Sequence, residues 1–248
     1  MKHMRFRPLF CALLAASAIC LSGVRSSAAE ISPTDAEEVL QDTLTLDVYV
    51  GIRDENDFRG KPQNVIKAAL FGAFDAKMKF LYEQAMLREK GLKTASADST
   101  LFSVDGRALS ADQVVSNDEK PEIFRSLPKP GGEGPDQYTH FIGKQAVELA
   151  ALRFTGHKIS HHAAPDDSVL MTEKGYFVVI DGLGDSGREA KIEHISPQGE
   201  GCILSGKIEN LFDDGKARFE DFTLQLVPGD APGTWKRISF AQGTKRTQ

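Results

Sequence analysis

The hydrophobic pattern changes period several times along the chain, and each change marks an element. In EISPTDAEEVLQD, Ser32 precedes Pro33 and a run of acids. That is the signature of a helix start, with Ser32 as the cap and Pro33 at the first helical position. In LTLDVYVGI the apolar side chains then fall at every second residue, Leu44, Leu46, Val48, Val50 and Ile52, with Thr45, Asp47 and Tyr49 between them. The alternation predicts a strand, with continuation of the helix as the competing reading of so short a run. From Pro62 to about Lys90 the spacing is helical again. Ile66, Ala69/Leu70, Ala73/Phe74, Met78, Leu81 and Ala85/Met86 form one stripe expected to face a core, and Gly91 supplies the stop.

Further on, Leu101 to Val104 reads as a short strand followed by an Asp105-Gly106 turn. SLPKPGGEGPDQ, residues 126–137, concentrates proline and glycine and is expected to be a linker. It lacks the Gly-Lys-Ser/Thr ending of a phosphate loop, and its prolines remove the backbone donors such a loop needs. Tyr138 to Phe154 predicts a second helix that ends at Thr155-Gly156. Beyond it the pattern is β: GYFVVID, AKIEHIS, CILSGKIE, RFEDFTLQLV and TWKRISF, separated by short turn signals at 182–187, 197–201, 213–215 and 228–233. Short connections predict an antiparallel meander, and the helix before it is the expected cover for its apolar face.

The fold class expected from these elements is α+β, with helices packed on an antiparallel meander of four to six strands. Residues 30–125 form a mainly helical N-terminal region with one long helix near 62–90, and 138–248 a helix plus antiparallel sheet, on either side of 126–137. Over about 138–240, the helix ending in an aromatic-x-Gly turn, the Gly-Tyr-Phe strand and the final FTLQLVPG…WKRISF pair resemble small exported bacterial α+β proteins of the NTF2-like or cystatin-like kind. That resemblance implies an open or cone-shaped sheet on a helix. Such a scaffold serves binding and adaptor proteins and a minority of enzymes, so it does not select a function.

Composition adds a compartment. MKHMRFRP is basic, LFCALLAASAICLSGV is apolar and uncharged, and RSSAAE brings small residues at Ser27 and Ala29. This order is that of a secretory signal peptide, residues 1–29, and a periplasmic or secreted location is expected. No stretch reaches the roughly 20 apolar residues of a transmembrane helix. The leader takes Lys2, Arg5, Arg7 and Arg25 and no acid, so the remaining chain is more acidic than the formal −5 of the whole. An acidic surface without a Lys/Arg cluster argues against nucleic acid as partner. Of the three cysteines, Cys11 and Cys20 belong to the leader. Cys202 alone cannot form an internal disulfide, and its strand-like neighbours predict a buried, inert thiol.

Three stretches raise the question of chemistry. His157, His161 and His162 with Asp166 and Asp167 offer nitrogen and oxygen donors for a divalent ion. In extended chain, however, His157 and His161 would stand about 13 Å apart, at about 3.3 Å per residue, too far for one ion unless the segment folds back. DGLGDSGRE carries both Gly-x-Gly-x-x-Gly, from Gly182 to Gly187, and Gly-Asp-Ser-Gly around Ser186. The first needs a helix to follow and meets REAKIEHISP instead; the second has Arg188-Glu189 where serine proteases have Gly-Pro. Both reduce to a turn joining GYFVVI to AKIEHI as a hairpin, with Ser186 at its tip. NLFDDGKARFED fails as a calcium loop because Phe212 occupies a ligand position. Trp235 reads as a core residue.

No catalytic, cofactor-binding or metal residue is therefore assigned from sequence, and no cofactor is expected. The functional expectation is an exported, non-enzymatic binding or adaptor protein of the cell envelope, its partner an unidentified protein or small ligand. The alternative is a metal-dependent hydrolase or metal-binding protein using His157, His161, His162 and Asp166.

Overall fold

The first helix is built where its cap requires and runs further than its alternation suggests. The computed structural model describes residues 30–116, 140–180, 188–210 and 218–243. The leader, the Pro/Gly stretch, Ser186 with its glycines and the Asp213–Gly215 turn lie outside the described residues. Helix α1 spans Pro33–Val50, opened by the Ser32 hydroxyl, which accepts the Asp35 N–H at 3.1 Å, and closed by Gly51 in the left-handed region at φ 70°. The strand expected over 44–52 is thus a correction: the run continues the helix. Thr43, Leu44, Thr45, Leu46 and Asp47 are all buried, because α1 has a core on either side. A helix buried around much of its circumference has no polar face to show a 3.6-residue period, and tertiary burial overrides the strand preference of the residues.

A short helix α2, Glu55–Phe58, is capped by Asp54, whose carboxylate accepts the Asn56 N–H at 2.9 Å. Helix α3, Pro62–Glu89, is the long helix read from the sequence. Its stripe is half core: Ile66, Ala69, Leu70, Ala73 and Phe74 are buried, whereas Met78 and Leu81 are exposed. The reason is length. At about 1.5 Å per residue α3 is roughly 42 Å long, while its main partner, helix α4 (Lys144–Thr155), has only 12 residues. The last turns of α3 overhang it.

Strands β1 (Thr100–Val104) and β2 (Arg107–Ser110) form a hairpin around Asp105 at φ 50° and Gly106 at φ 70°, the two positive values that a type I′ turn demands. A second sheet has the order β3-β4-β6-β5, with β3 at Val114–Ser116, β4 at His140–Gly143, β5 at Val169–Met171 and β6 at Gly175–Val178. Here the expected helix over 138–154 is corrected at its start. His140 to Gly143 pair with β3 and β6, with Ile142 opposite Tyr176, and the helix begins only after Gly143. The side chains of Ile142 and Tyr176 are fully buried against α3 and α4, and that burial decides between the two conformations.

The third sheet is the meander: β7 (Arg188–Gln198), β8 (Gly201–Asn210), β9 (Arg218–Pro228) and β10 (Trp235–Gln242), in the order β10-β9-β8-β7. The α+β class and the antiparallel meander hold. Two details differ. GYFVVI pairs with β4 and β5 in the second sheet, so it is not hairpinned to AKIEHI. The cover of the meander is α1, far upstream, and not α4: Ala36, Val39, Leu40 and Leu44 pack on Cys202, Leu204, Ile208, Phe222, Leu224, Leu226 and Trp235. The core thus draws on both sides of residues 126–137. The outer strand β7 carries a bulge at Ile192/His194 and Pro197, devices that discourage further strands from adding to an edge.

A bulge at Arg237/Ser239 turns both Arg237 and Phe240 of β10 inward. Arg237 is buried, donates from Nη2 to the Phe154 carbonyl in the last turn of α4, and lies 3.4 Å from Thr43 Oγ1 of α1. A cation at a helix C-terminus meets carbonyls left without helical partners. Beside it the α4 cap, Gly156 at φ 73°, lies so close to the Trp235 backbone that no side chain fits, and its carbonyl accepts the Asp230 N–H at 2.8 Å. Gly51 has a similar φ of 70° but open space around it. Gly51→Ala is therefore expected to cost about 1 kcal/mol, the backbone penalty alone. Gly156→Ala should cost about 3 kcal/mol once overpacking is added. Urea denaturation of both variants checks this, and equal losses would refute the close docking of α4 on β10.

Candidate functional site

The donors singled out in the sequence do not converge. His157 Nε2 lies 3.0 Å from Glu55 Oε2 of α2, with its ring against Phe58. His162 is engaged elsewhere, its Nδ1 2.7 Å from the Tyr176 hydroxyl and its Nε2 2.9 Å from Glu148 Oε1. His161 is exposed. Asp166 accepts from the Ser168 backbone and hydroxyl, at 3.0 and 2.5 Å, and pairs with Lys67. Among the described residues no group of three His, Cys, Asp or Glu side chains is arranged to hold a metal ion. His157, His162 and Asp166 are each drawn to a different neighbour.

The Tyr176–His162–Glu148 chain has the form of a catalytic relay and the chemistry of a brace. One neutral imidazole tautomer satisfies every member: Nδ1 accepts the phenol proton and Nε2–H donates to Glu148. Tyr176 is fully buried, and burial together with the nearby Glu148 charge pushes its pKa up to about 12. A phenol at that position neither ionises near neutrality nor meets a substrate. The chain ties the 157–168 segment to β6 and α4. Cys202 is equally inert, buried beneath α1 with its thiol pushed up by that burial.

Charged residues gather in a cleft of about 400 Å³ between α1, α3, α4 and β1. Arg153 donates to Asp42 at 2.7 Å and to Glu38 at 2.8 Å, and Lys79 meets Asp75 at 2.7 Å. Burial raises the Asp42 pKa in spite of Arg153, Arg237 and Lys79, and Asp75 adds to the rise. Burial likewise brings the Arg237 guanidinium down to about 10, with Asp42 opposing. Most of these charges already face a partner within the protein, so little is left to offer a ligand. Asp47 is similar: buried, it receives Arg53 Nε and, at 3.0 Å, Arg188 Nη1.

Another of the concavities among the described residues is different in kind. A groove of about 240 Å³ runs between the end of α1 (Tyr49, Val50), one face of α3 (Lys67, Leu70, Phe71), the 165–169 segment and the end of β6 (Val178 to Ile180). Its walls are apolar and aromatic, with Tyr49 and Phe71 stacked at 5.5 Å and 23°. Its polar end, among the described residues, holds Ser168 and the ion pair from Lys67 Nζ to Asp166 Oδ2 at 3.4 Å, both side chains part-exposed. Burial opposes the charge on Asp166, but the Ser168 hydrogen bonds and the Lys67 charge outweigh it and hold the carboxyl below its ordinary value. Apolar walls with a few convergent polar groups are the usual composition of a small-molecule site.

Asp166 was visible in the sequence as a possible metal ligand, but its partner was not. Lys67, Phe71 and Tyr49 sit on helices more than ninety residues away, and no local spacing links them to Asp166. The Lys67, Leu70, Phe71 spacing does place all three on one helix face, which was the one available signal. Compared with known proteins, the chain matches no family model, no curated protein and no solved structure. Function rests on the site alone. Among the described residues no helix is long and apolar enough to cross a membrane.

The His157 site makes a measurable prediction. Its pKa lies below the ordinary 6.5: burial is the largest influence and favours the neutral ring, Glu55 and Asp230 pull the other way, and Lys236 adds to the lowering. The unfolded chain therefore binds this proton more readily than the folded one. The contribution to stability is full above about pH 6.5 and is lost as pH falls through that value towards the lower folded one. Urea midpoints should be lower at pH 5.5 than at pH 7.5, and His157→Gln should shrink the difference. An undiminished difference would remove His157 as its source.

Proposed function

We propose that the protein is an exported binding protein of the cell envelope that holds a small ligand in the groove between α1, α3 and the β5–β6 end of the second sheet and carries out no reaction on it. The observation that supports this most directly is the contrast between this groove and the charged cleft. In the charged cleft, cations and carboxylates pair with one another; in the groove, apolar walls stand beside one loosely held ion pair. The histidine-centred relay ends on a buried phenol and so braces the groove's wall without activating a nucleophile. The basic, apolar and small-residue order of residues 1–29 supports export.

A groove of this size suits a ligand smaller than the roughly 300–1,000 Å³ of drug-sized sites. Titration of the mature chain with an apolar fluorescent probe such as N-phenylnaphthylamine tests it. Phe71→Ala should weaken probe binding about tenfold, equivalent to about 1.4 kcal/mol. Met78→Ala, on the exposed overhang of α3, should leave it unchanged. Binding insensitive to Phe71 and lost in the Met78 variant would move the site to the overhang and sink the proposal. A stoichiometric metal in the purified protein, lost on His161→Ala and His162→Ala, would favour a metal-dependent role instead.

A further inference from the structure

We propose that the ligand of the groove is a free α-amino acid with an apolar side chain, its carboxylate taken by Lys67 and its ammonium by Asp166. The inference rests on the groove being the binding site and adds the chemistry of what enters it. Two opposite charges stand at the mouth of an apolar groove, and the molecule complementary to that pattern is a small zwitterion with a hydrocarbon or aromatic tail. A carboxylate alone would leave Asp166 facing an anion, and an amine alone would crowd Lys67. A zwitterion meets both.

The pair is built to open. Asp166 is fixed: its Oδ1 is held by the Ser168 N–H at 3.0 Å and by the Ser168 hydroxyl at 2.5 Å, which leaves Oδ2 turned to Lys67. Lys67 is the mobile member, a part-exposed ammonium on a flexible four-carbon stem. At 3.4 Å and with both side chains about 40% exposed, the contact is a surface ion pair, worth about 0–1 kcal/mol. Inserting a ligand's charges between the two replaces one weak pair by two, each flanked by the apolar wall that lowers the local dielectric. The tail then lies along Phe71, Leu70 and Val169, and the stacked Tyr49–Phe71 pair forms a flat side. Asp47 and Asp42 are closed to a ligand by comparison, Asp47 by two arginines and Asp42 by Arg153.

Isothermal titration calorimetry of the mature chain with L-leucine, 3-methylbutylamine and 4-methylpentanoate tests the assignment. The last two keep leucine's tail and remove the carboxylate or the ammonium in turn. Leucine is expected to bind at least tenfold more tightly than either. Lys67→Ala should bring leucine down to the affinity of the amine, and Asp166→Asn should bring it down to that of the acid. Leucinamide, which models the N-terminal residue of a peptide, should bind as weakly as the amine; equal affinity for leucine and leucinamide would overturn the free amino acid. Equal binding of all three compounds, or leucine binding indifferent to both substitutions, would overturn the zwitterion while Phe71-dependent binding of the apolar probe still stood. Failure of leucine and probe together would remove the groove reading itself.

Discussion

Everything in this fold depends on α1 being buried from two sides. Leu40 and Leu44 close the meander, Leu46 and Ile52 just beyond the helix enter the core of α3, α4 and the second sheet, and both sets occupy little more than three turns. The apolar face of the meander must be buried against another element, and so must the apolar faces of α3 and α4 that the second sheet leaves open. One shared helix satisfies both. The polar groups that α1 necessarily carries between its apolar residues are then committed: Asp47 to Arg53 and Arg188, Asp42 to Arg153, and Thr43 to its own helix through the Val39 carbonyl.

Arg237 repeats the same logic from the other side. It is a buried guanidinium at the junction of α1, α4 and β10, placed where the last carbonyls of α4 need a donor. Its Nε has no partner among the described residues, and its lowered pKa records what burial costs the charged form. Such a group specifies the junction more than it stabilises it, since a misdocked α4 would leave a bare charge inside.

The groove follows from where α1 stops. Gly51 ends the helix, so Tyr49 and Val50 present themselves to the face of α3 one turn after Lys67. The His162–Tyr176 bond pins the segment that delivers Asp166 and Ser168 to the opposite side. Within what the sequence offers as potential metal ligands, His162 acts as a fastener of this segment and Asp166 as part of the groove itself.

The sequence determined the local elements wherever local chemistry was sufficient. Ser32-Pro33, the Asp105-Gly106 turn and the period-two runs of β7 to β10 carried their own cap, turn or alternation and appear as read, and the stripe from Pro62 gives its helix but faces the core only along its first half. It also carried the buried thiol and the core position of Trp235, because apolar strand neighbours leave few other places for them. Tertiary structure decided the rest. Residues 44–52 are helical because both sides are buried, 140–143 are a strand because β3 and β6 flank them, and Met78 and Leu81 are exposed because α4 is too short to reach them. The pairing of Lys67 with Asp166 belongs to this second class: it joins residues from distant elements, and only the packing of α3 against the segment before β5 brings an ammonium, a carboxylate and an aromatic wall to one place.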